Sequence, residues 1–332
     1  MKPPLASARA IRLVVCLVCI FTVVGARKPA GAQSVAITVD DLPTTDDRPP
    51  DLSRAEIARS ILNTLKAGHA PPTYGFVNAG QIADGPADIR ILGIWRAAGF
   101  PLGNHTYSHM DLGAHTAAEF EQDIAKDEPL LRAQMGGQTG ERAWHWFRYP
   151  YLQEGDTLEK RRGVRAWLFA HRYRIAEVSI SFEDWAWNDP YARCVANHDT
   201  ASIAWLKSSY IDTATEFLDV GRQMSNAVYG RDIQYVMLLH IGAFETVMLP
   251  RLLELLEQKQ FTLVSLPQAE SDPAYKDDPD IALKAGGTFL EQMMLAKHLQ
   301  PIPHPPAPLD KLNNVCTAPM HVLTERSTKG TK

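Results

Sequence analysis

Cysteine is scarce in this chain, four in 332 residues, so a disulfide-dense scaffold and a Cys-based zinc module are both excluded. Positive charge is not in excess: 34 Lys+Arg stand against 38 Asp+Glu, a formal charge of −4, which argues against a general nucleic-acid binder with a basic face. No Gly-x-Ser-x-Gly elbow and no phosphate-binding P-loop occurs. There is no internal repeat, and no Gly/Ser-rich linker divides the chain, so one domain is favoured over two. What is present is ordinary for a soluble globular protein, with 45% hydrophobic and 22% charged residues, enough to bury a full core.

The N-terminus reads as a leader. Lys2, Arg9 and Arg12 precede an apolar run from Leu13 to Val24, and Ala30-Gly31-Ala32 offers the small-x-small pattern of a cleavage site. That run has twelve residues, short of the ~20 that span a bilayer. Residues 1–32 are therefore expected to be a signal peptide, with Gln33 as the mature N-terminus, no membrane span after cleavage, and a periplasmic or secreted location. The competing reading is an uncleaved anchor. Cleavage removes five positive charges and no acids, leaving −9 and two cysteines, Cys194 and Cys316. Two thiols in an oxidising compartment often pair, although sequence alone does not bring their Cα atoms within reach.

From Ser34 onward the pattern alternates strand and helix. Strands are expected at 34–40, 73–77, 101–105, 146–149, 173–181, 233–240 and 261–266. Helices are expected at 87–98, 116–134, 157–170, 199–224 and 246–258, with a first one capped by Ser53 that puts Ile57, Ile61, Leu62 and Leu65 on one face. Seven strands joined by helices imply an α/β fold with a parallel sheet and right-handed crossovers. The catalytic or binding domain is placed at 33–270, and 271–332 as a Pro-rich C-terminal extension that wraps the domain and frays, with one helix near 281–299.

Reactive side chains gather at the ends of these strands, where parallel barrels keep their chemistry. Asp40-Asp41 end the first, His105 and His109 follow the third, Arg148 lies on the fourth and His240 ends the sixth. His-x-x-x-His on a helical turn presents both imidazoles to one side, and with a strand-end carboxylate it supplies three ligands and leaves open positions on a metal. Zinc fits this set; Co, Ni, Mn or Fe can bind it too. Two adjacent aspartates also allow one to bind metal while the other takes a proton.

In order, Thr38-Val39-Asp40-Asp41, His105-Thr106-Tyr107-Ser108-His109, Arg148-Tyr149-Pro150-Tyr151, Asp184-Trp185 and Leu238-Leu239-His240 resemble the motifs of the polysaccharide deacetylase family (carbohydrate esterase family four), over roughly residues 34–266. The resemblance implies a distorted seven-stranded (β/α) barrel and metal-dependent hydrolysis of acetyl groups on an N- or O-acetylated oligo- or polysaccharide. It further implies Asp40 as general base, Arg148 as its holder, and Asp41, His105 and His109 as metal ligands. The Tyr151 N–H becomes the oxyanion donor, Asp184 the carboxylate tuning His240, and His240 the general acid. Trp185 becomes a wall of the acetyl pocket and Leu239 a lining of the methyl pocket. Trp187 and Tyr191 follow the fifth strand and join Trp185 as candidates for sugar contact, whereas Trp144-His145-Trp146 reads as core.

Three positions depart from the family pattern: Leu42-Pro43 in place of Gly-Pro, Leu152 in place of glycine, and Ser181 where a first Asp often stands. They alter loops around the substrate and leave its identity open. An amidohydrolase of the same barrel acting on a non-sugar amide, and a catalytically inactive carbohydrate-binding protein, are the alternatives. Retention of Asp40, His240 and all three metal ligands favours neither. Oligomeric state is not legible.

Overall fold

The stretch Val35–Val39 is apolar at every position but Thr38 because it is covered on both faces, and it is the centre of the ten-residue strand β1 (Gln33–Leu42) around which the others assemble. The computed structural model describes residues 33–43, 47–82, 85–136 and 143–317; the expected signal peptide and the far C-terminus lie outside them. Six further strands follow: β2 (Tyr74–Val77), β3 (Leu102–Asn104), β4 (Trp146–Phe147), β5 (Arg174–Ile175), β6 (Tyr235–His240) and β7 (Phe261–Leu263). All pairings are parallel, in the order β5-β4-β3-β2-β1-β6, with β7 also on β1.

The fifth strand is shorter than its sequence suggests. The Glu177 N–H donates to the Glu270 side chain at 2.8 Å instead of to a neighbouring strand, which ends the regular ladder. The chain nevertheless stays extended. Ala176 N–H reaches Phe147 O on one side, and Ser179 and Ile180 bond Val236 O while Leu238 N–H returns to Ile180 O on the other. This irregular segment closes the sheet into a distorted (β/α) barrel.

Ten helices are present among the described residues: α1 (Arg54–Ala67), α2 (Pro86–Ala97), α3 (Ala117–Met135), α4 (Leu158–Ala170), α5 (Asn188–Ala196), α6 (Thr200–Tyr229), α7 (Glu245–Gln258), α8 (Leu266–Ala269), α9 (Phe289–Ala296) and α10 (Leu309–Asn314). Ser53 and Thr116 each close a capping box with the glutamate three residues on, so the starts of α1 and α3 are written locally. The period-2 rule sorts the barrel. Val35, Ile37 and Val39 face the helices and join the main core, while Ala36, Phe76, Trp146 and Val236 fill the interior. Trp144 is buried too, so the Trp144-His145-Trp146 segment packs as expected.

The extension does not run as one helix from 281 to 299. Only Phe289–Ala296 is helical, started by a Thr288–Glu291 capping box. Before it, Gly286 lies so close to the Tyr151 carbonyl that a Cβ would sit 1.7 Å from that oxygen, so no side chain fits at this position. Cys194 on α5 and Cys316 after α10 form a disulfide, with Cα atoms 5.1 Å apart.

Candidate active site

Neighbouring residues of a strand point to opposite faces, yet Asp40 and Asp41 both line one cavity. The register of β1 against β2 slips between Val39 and Leu42, and Asp41 takes a left-handed φ of 65°. This bulge turns the second carboxylate inward. Asp40 itself continues the interior row Ala36-Thr38-Asp40, as Arg148 continues Trp146 and His240 continues Val236-Leu238.

His105 and His109 are not on a helical turn. They occupy an irregular loop after β3 in which Thr106 (φ 61°) and His109 (φ 55°) are left-handed. The backbone reversals bring the rings to 4.9 Å between centroids, the juxtaposition expected for a helix reached by another route. The loop is held from outside its own sequence. Asn78 Nδ2 donates to the carbonyls of His105 and Thr106, while Asp123 on α3 accepts from Ser108 N–H and Oγ at 2.8 and 2.9 Å.

Asp41 Oδ1 lies 3.4 Å from His109 Nε2 and 3.6 Å from His105 Nε2, buried and without a hydrogen-bond partner. Ligand atoms of these three residues all fall within 4.8 Å of one another. His105 Nδ1 is 2.8 Å from the Arg148 carbonyl, which only accepts, so Nδ1 carries the hydrogen and Nε2 presents its lone pair. Burial pushes His105 down to about 3; burial and then His105 push His109 down to about 4. Both rings are thus neutral at physiological pH, as metal ligands must be. An orphaned carboxylate oxygen facing two neutral imidazole nitrogens fits a divalent cation.

Asp40 is buried and takes both of its oxygens to Arg148 Nη1 at 3.1 Å. The guanidinium is fixed by Thr38 Oγ1 (3.0 Å), the Ala176 carbonyl (2.7 Å) and the Phe76 ring, whose centroid lies 4.7 Å away. Burial raises the Asp40 and Asp41 carboxyls, opposed chiefly by Arg148 for the first and by His240 for the second. A cation at Asp41 would draw both back toward the ionised form.

His240 ends β6, with Nδ1 2.9 Å from Asp184 Oδ1 and its N–H donating to Asp184 Oδ2 at 2.7 Å. Burial alone would lower its pKa; Asp184, then Asp41 and Asp40, outweigh that and raise it to about 10. Asp184 opens a short 3-10 turn behind Glu183, itself left-handed at φ 64°.

The same cavity, of about 700 Å³, is lined by Tyr151 and Trp185. Tyr151 sets its ring edge-on to His109 at 4.4 Å, and Trp185 is half-exposed. Leu239 does not line it: Leu239 belongs to the helix-facing core, and period 2 gives the cavity to Leu238. Trp187 is likewise core, fully buried with its indole N–H on Ser209 Oγ, and Tyr191 packs against Phe244. Sequence reasoning gave Thr38 no role beyond its place in the motif and missed Asn78, Asp123 and Glu245, the last lining the cavity and accepting from the buried Tyr210 hydroxyl. Asp123 carried a signal, since it sits on the buried stripe of α3 with Phe120 and Ile124.

Barrel, strand-end acids and paired imidazoles together frame a candidate metal centre, with a buried aspartate and a histidine beside it. Over residues 27–167 the chain matches the family model "Polysaccharide deacetylase". It is 30% identical over 159 residues to a peptidoglycan-N-acetylglucosamine deacetylase of Bacillus cereus, covering 47% of this chain and 48% of that protein. The chain therefore spans about half the length of the curated relative it matches. Among solved structures, a family 4 carbohydrate esterase from Streptomyces lividans in complex with acetate is similar at 18% identity and TM-score 0.45, over 71% of this chain and 95% of that one. The chitin deacetylase of Colletotrichum lindemuthianum is similar at 22% and 0.49, over 72% and 89%. A family pseudoenzyme from Bacillus anthracis is similar at 13% and 0.49, over 73% and 66%. Among the described residues no helix is long and apolar enough to cross a membrane.

Proposed function

We propose that this protein is an exported, metal-dependent deacetylase of an N- or O-acetylated glycan. The observation that carries the reading is the unsatisfied Asp41 oxygen between two neutral imidazoles, set in one cavity with an Arg-held aspartate and an Asp-held histidine. Asp41, His105 and His109 would hold the cation; Zn²⁺ suits one oxygen and two nitrogens, with Co²⁺, Ni²⁺ or Mn²⁺ as alternatives. Once bound, a divalent cation supplies a Lewis acid that lowers the pKa of water to about 7 and polarises the acyl carbonyl.

The remaining work falls to the chain. Asp40, kept in place by Arg148, accepts the proton of the attacking water. The Tyr151 N–H donates to the developing oxyanion, a contact worth roughly 3–4 kcal/mol in such sites. His240, held protonated by Asp184, passes its proton to the departing amine or alcohol. Trp185 and Tyr151 flank the acyl group. The intact base and acid set the reading apart from that of an inactive binding protein.

Purified protein, stripped of metal and reloaded, is to be assayed for acetate release from chitooligosaccharides, peptidoglycan and acetylxylan. Release that follows metal loading is expected. Full metal loading with no acetate from any of the three would overturn the reading.

A further inference from the structure

The C-terminal extension is not merely wrapped around the barrel; its segment Ala285–Thr288 and Glu291 form a wall of the cavity that holds Asp41, His105, His109 and His240. It does so by bridging two loops at the mouth. On the β4 side, Gly286 is pressed onto the Tyr151 carbonyl, Gln153 Nε2 donates to Leu283 O at 3.1 Å, and Leu283 N–H bonds Gly155 O. On the β5 side, Phe289 N–H bonds Val178 O at 2.6 Å. Buried ties fix the bridge from below: Arg161, fully buried, reaches Gln292, Glu154 and Asp278, and Gln292 Nε2 donates to Glu154 at 2.7 Å.

A polymer acted on at an internal unit must enter and leave across the mouth of the site. Here the gap between the β4 and β5 loops is filled by folded backbone. The cavity's volume of about 700 Å³ lies within the ~300–1,000 Å³ that small-ligand sites span. We infer that the extension blocks one end of the substrate path, so that the enzyme acts on the terminal unit of an acetylated chain or on a short oligosaccharide, with Trp185 on the open side as a stacking surface. This rests on the deacetylase reading above.

The test uses the full chain with metal loaded, on oligomers of N-acetylglucosamine and of O-acetylated xylose from dimer to hexamer, with deacetylated positions mapped by tandem mass spectrometry. Loss of acetate from a terminal unit alone, with kcat/KM nearly flat beyond the dimer or trimer, is the expected result. Internal deacetylation with kcat/KM climbing about tenfold per added unit, the signature of an extended groove worth ~1.4 kcal/mol per subsite, would overturn the inference and leave the deacetylase reading intact. No turnover of any oligomer, together with no acetate released from peptidoglycan, would overturn the deacetylase reading itself. Gly286→Val, whose side chain cannot fit against the Tyr151 carbonyl, is expected to lift the wall and allow internal positions on the hexamer. A folded Gly286→Val that still acts only on the end would show that the wall does not set the position. If that variant fails to fold, the wild-type map decides alone.

Discussion

Two adjacent aspartates illustrate how backbone geometry assigns chemistry to side chains of one kind. Asp40 follows the strand's alternation into the barrel and meets a buried arginine; Asp41, turned by the bulge, meets two imidazoles and no hydrogen-bond donor. Asp40→Asn is therefore expected to keep metal, by elemental analysis, while kcat falls about 10²–10⁴-fold because an amide cannot take the proton. For His240 the sign follows from the acid role proposed for it. The ring must be protonated to act, and its pKa is raised to about 10, so activity should persist into alkaline pH and fall as pH rises through that value. Asp184→Asn removes the main charge that supports the protonated ring. The alkaline limb of kcat/KM should then move to lower pH, toward the ordinary histidine value of about 6.5. An unmoved limb in that variant would assign the fall to another group.

At the scale of elements, much was legible because its signals are local. Capping boxes at Ser53 and Thr116 mark helix starts to the residue, and continuous apolar runs mark β1 and β6. Less legible was anything decided by distant partners. The fifth strand is cut short by Glu270, ninety-three positions away, and α9 begins only after Gly286 has packed against Tyr151. The histidine pair was legible as a motif but not as a loop, because nothing in a threonine marks the left-handed φ that Thr106 adopts. That loop depends on α3. Asp123 accepts from both Ser108 donors and its carbonyl accepts from Tyr107 N–H, so the helix sets where His109 stands. Asp123→Ala should weaken metal affinity by about 10–100-fold while sparing the fold, the range found when groups that orient ligands are removed. Isothermal titration with Zn²⁺ into the stripped protein measures it, and unchanged affinity would mean the loop holds its shape without α3.

Across the whole molecule, the extension is fastened at two places that do different work. Near the mouth, Arg161 and Gln292 hold the segment that walls the cavity. Far along the chain, the disulfide joins Cys316 to Cys194 on α5, beside contacts from Arg193 to the carbonyls of Leu312 and Val315. The bridge spans 122 residues, so closing that loop in the unfolded chain is worth up to ~4–5 kcal/mol. Reduction, or Cys194→Ser with Cys316→Ser, should therefore lower the thermal midpoint by on the order of 10 °C. It should not lower acetate release at 25 °C by much, because the wall over the site keeps its own buried ties when the distal bond opens. Thermal unfolding with and without reductant, run beside the acetate assay on the same samples, separates the two anchors. Activity lost on reduction in a protein that remains folded would mean that strain at the distal anchor reaches the mouth, and that the two fastenings act as one.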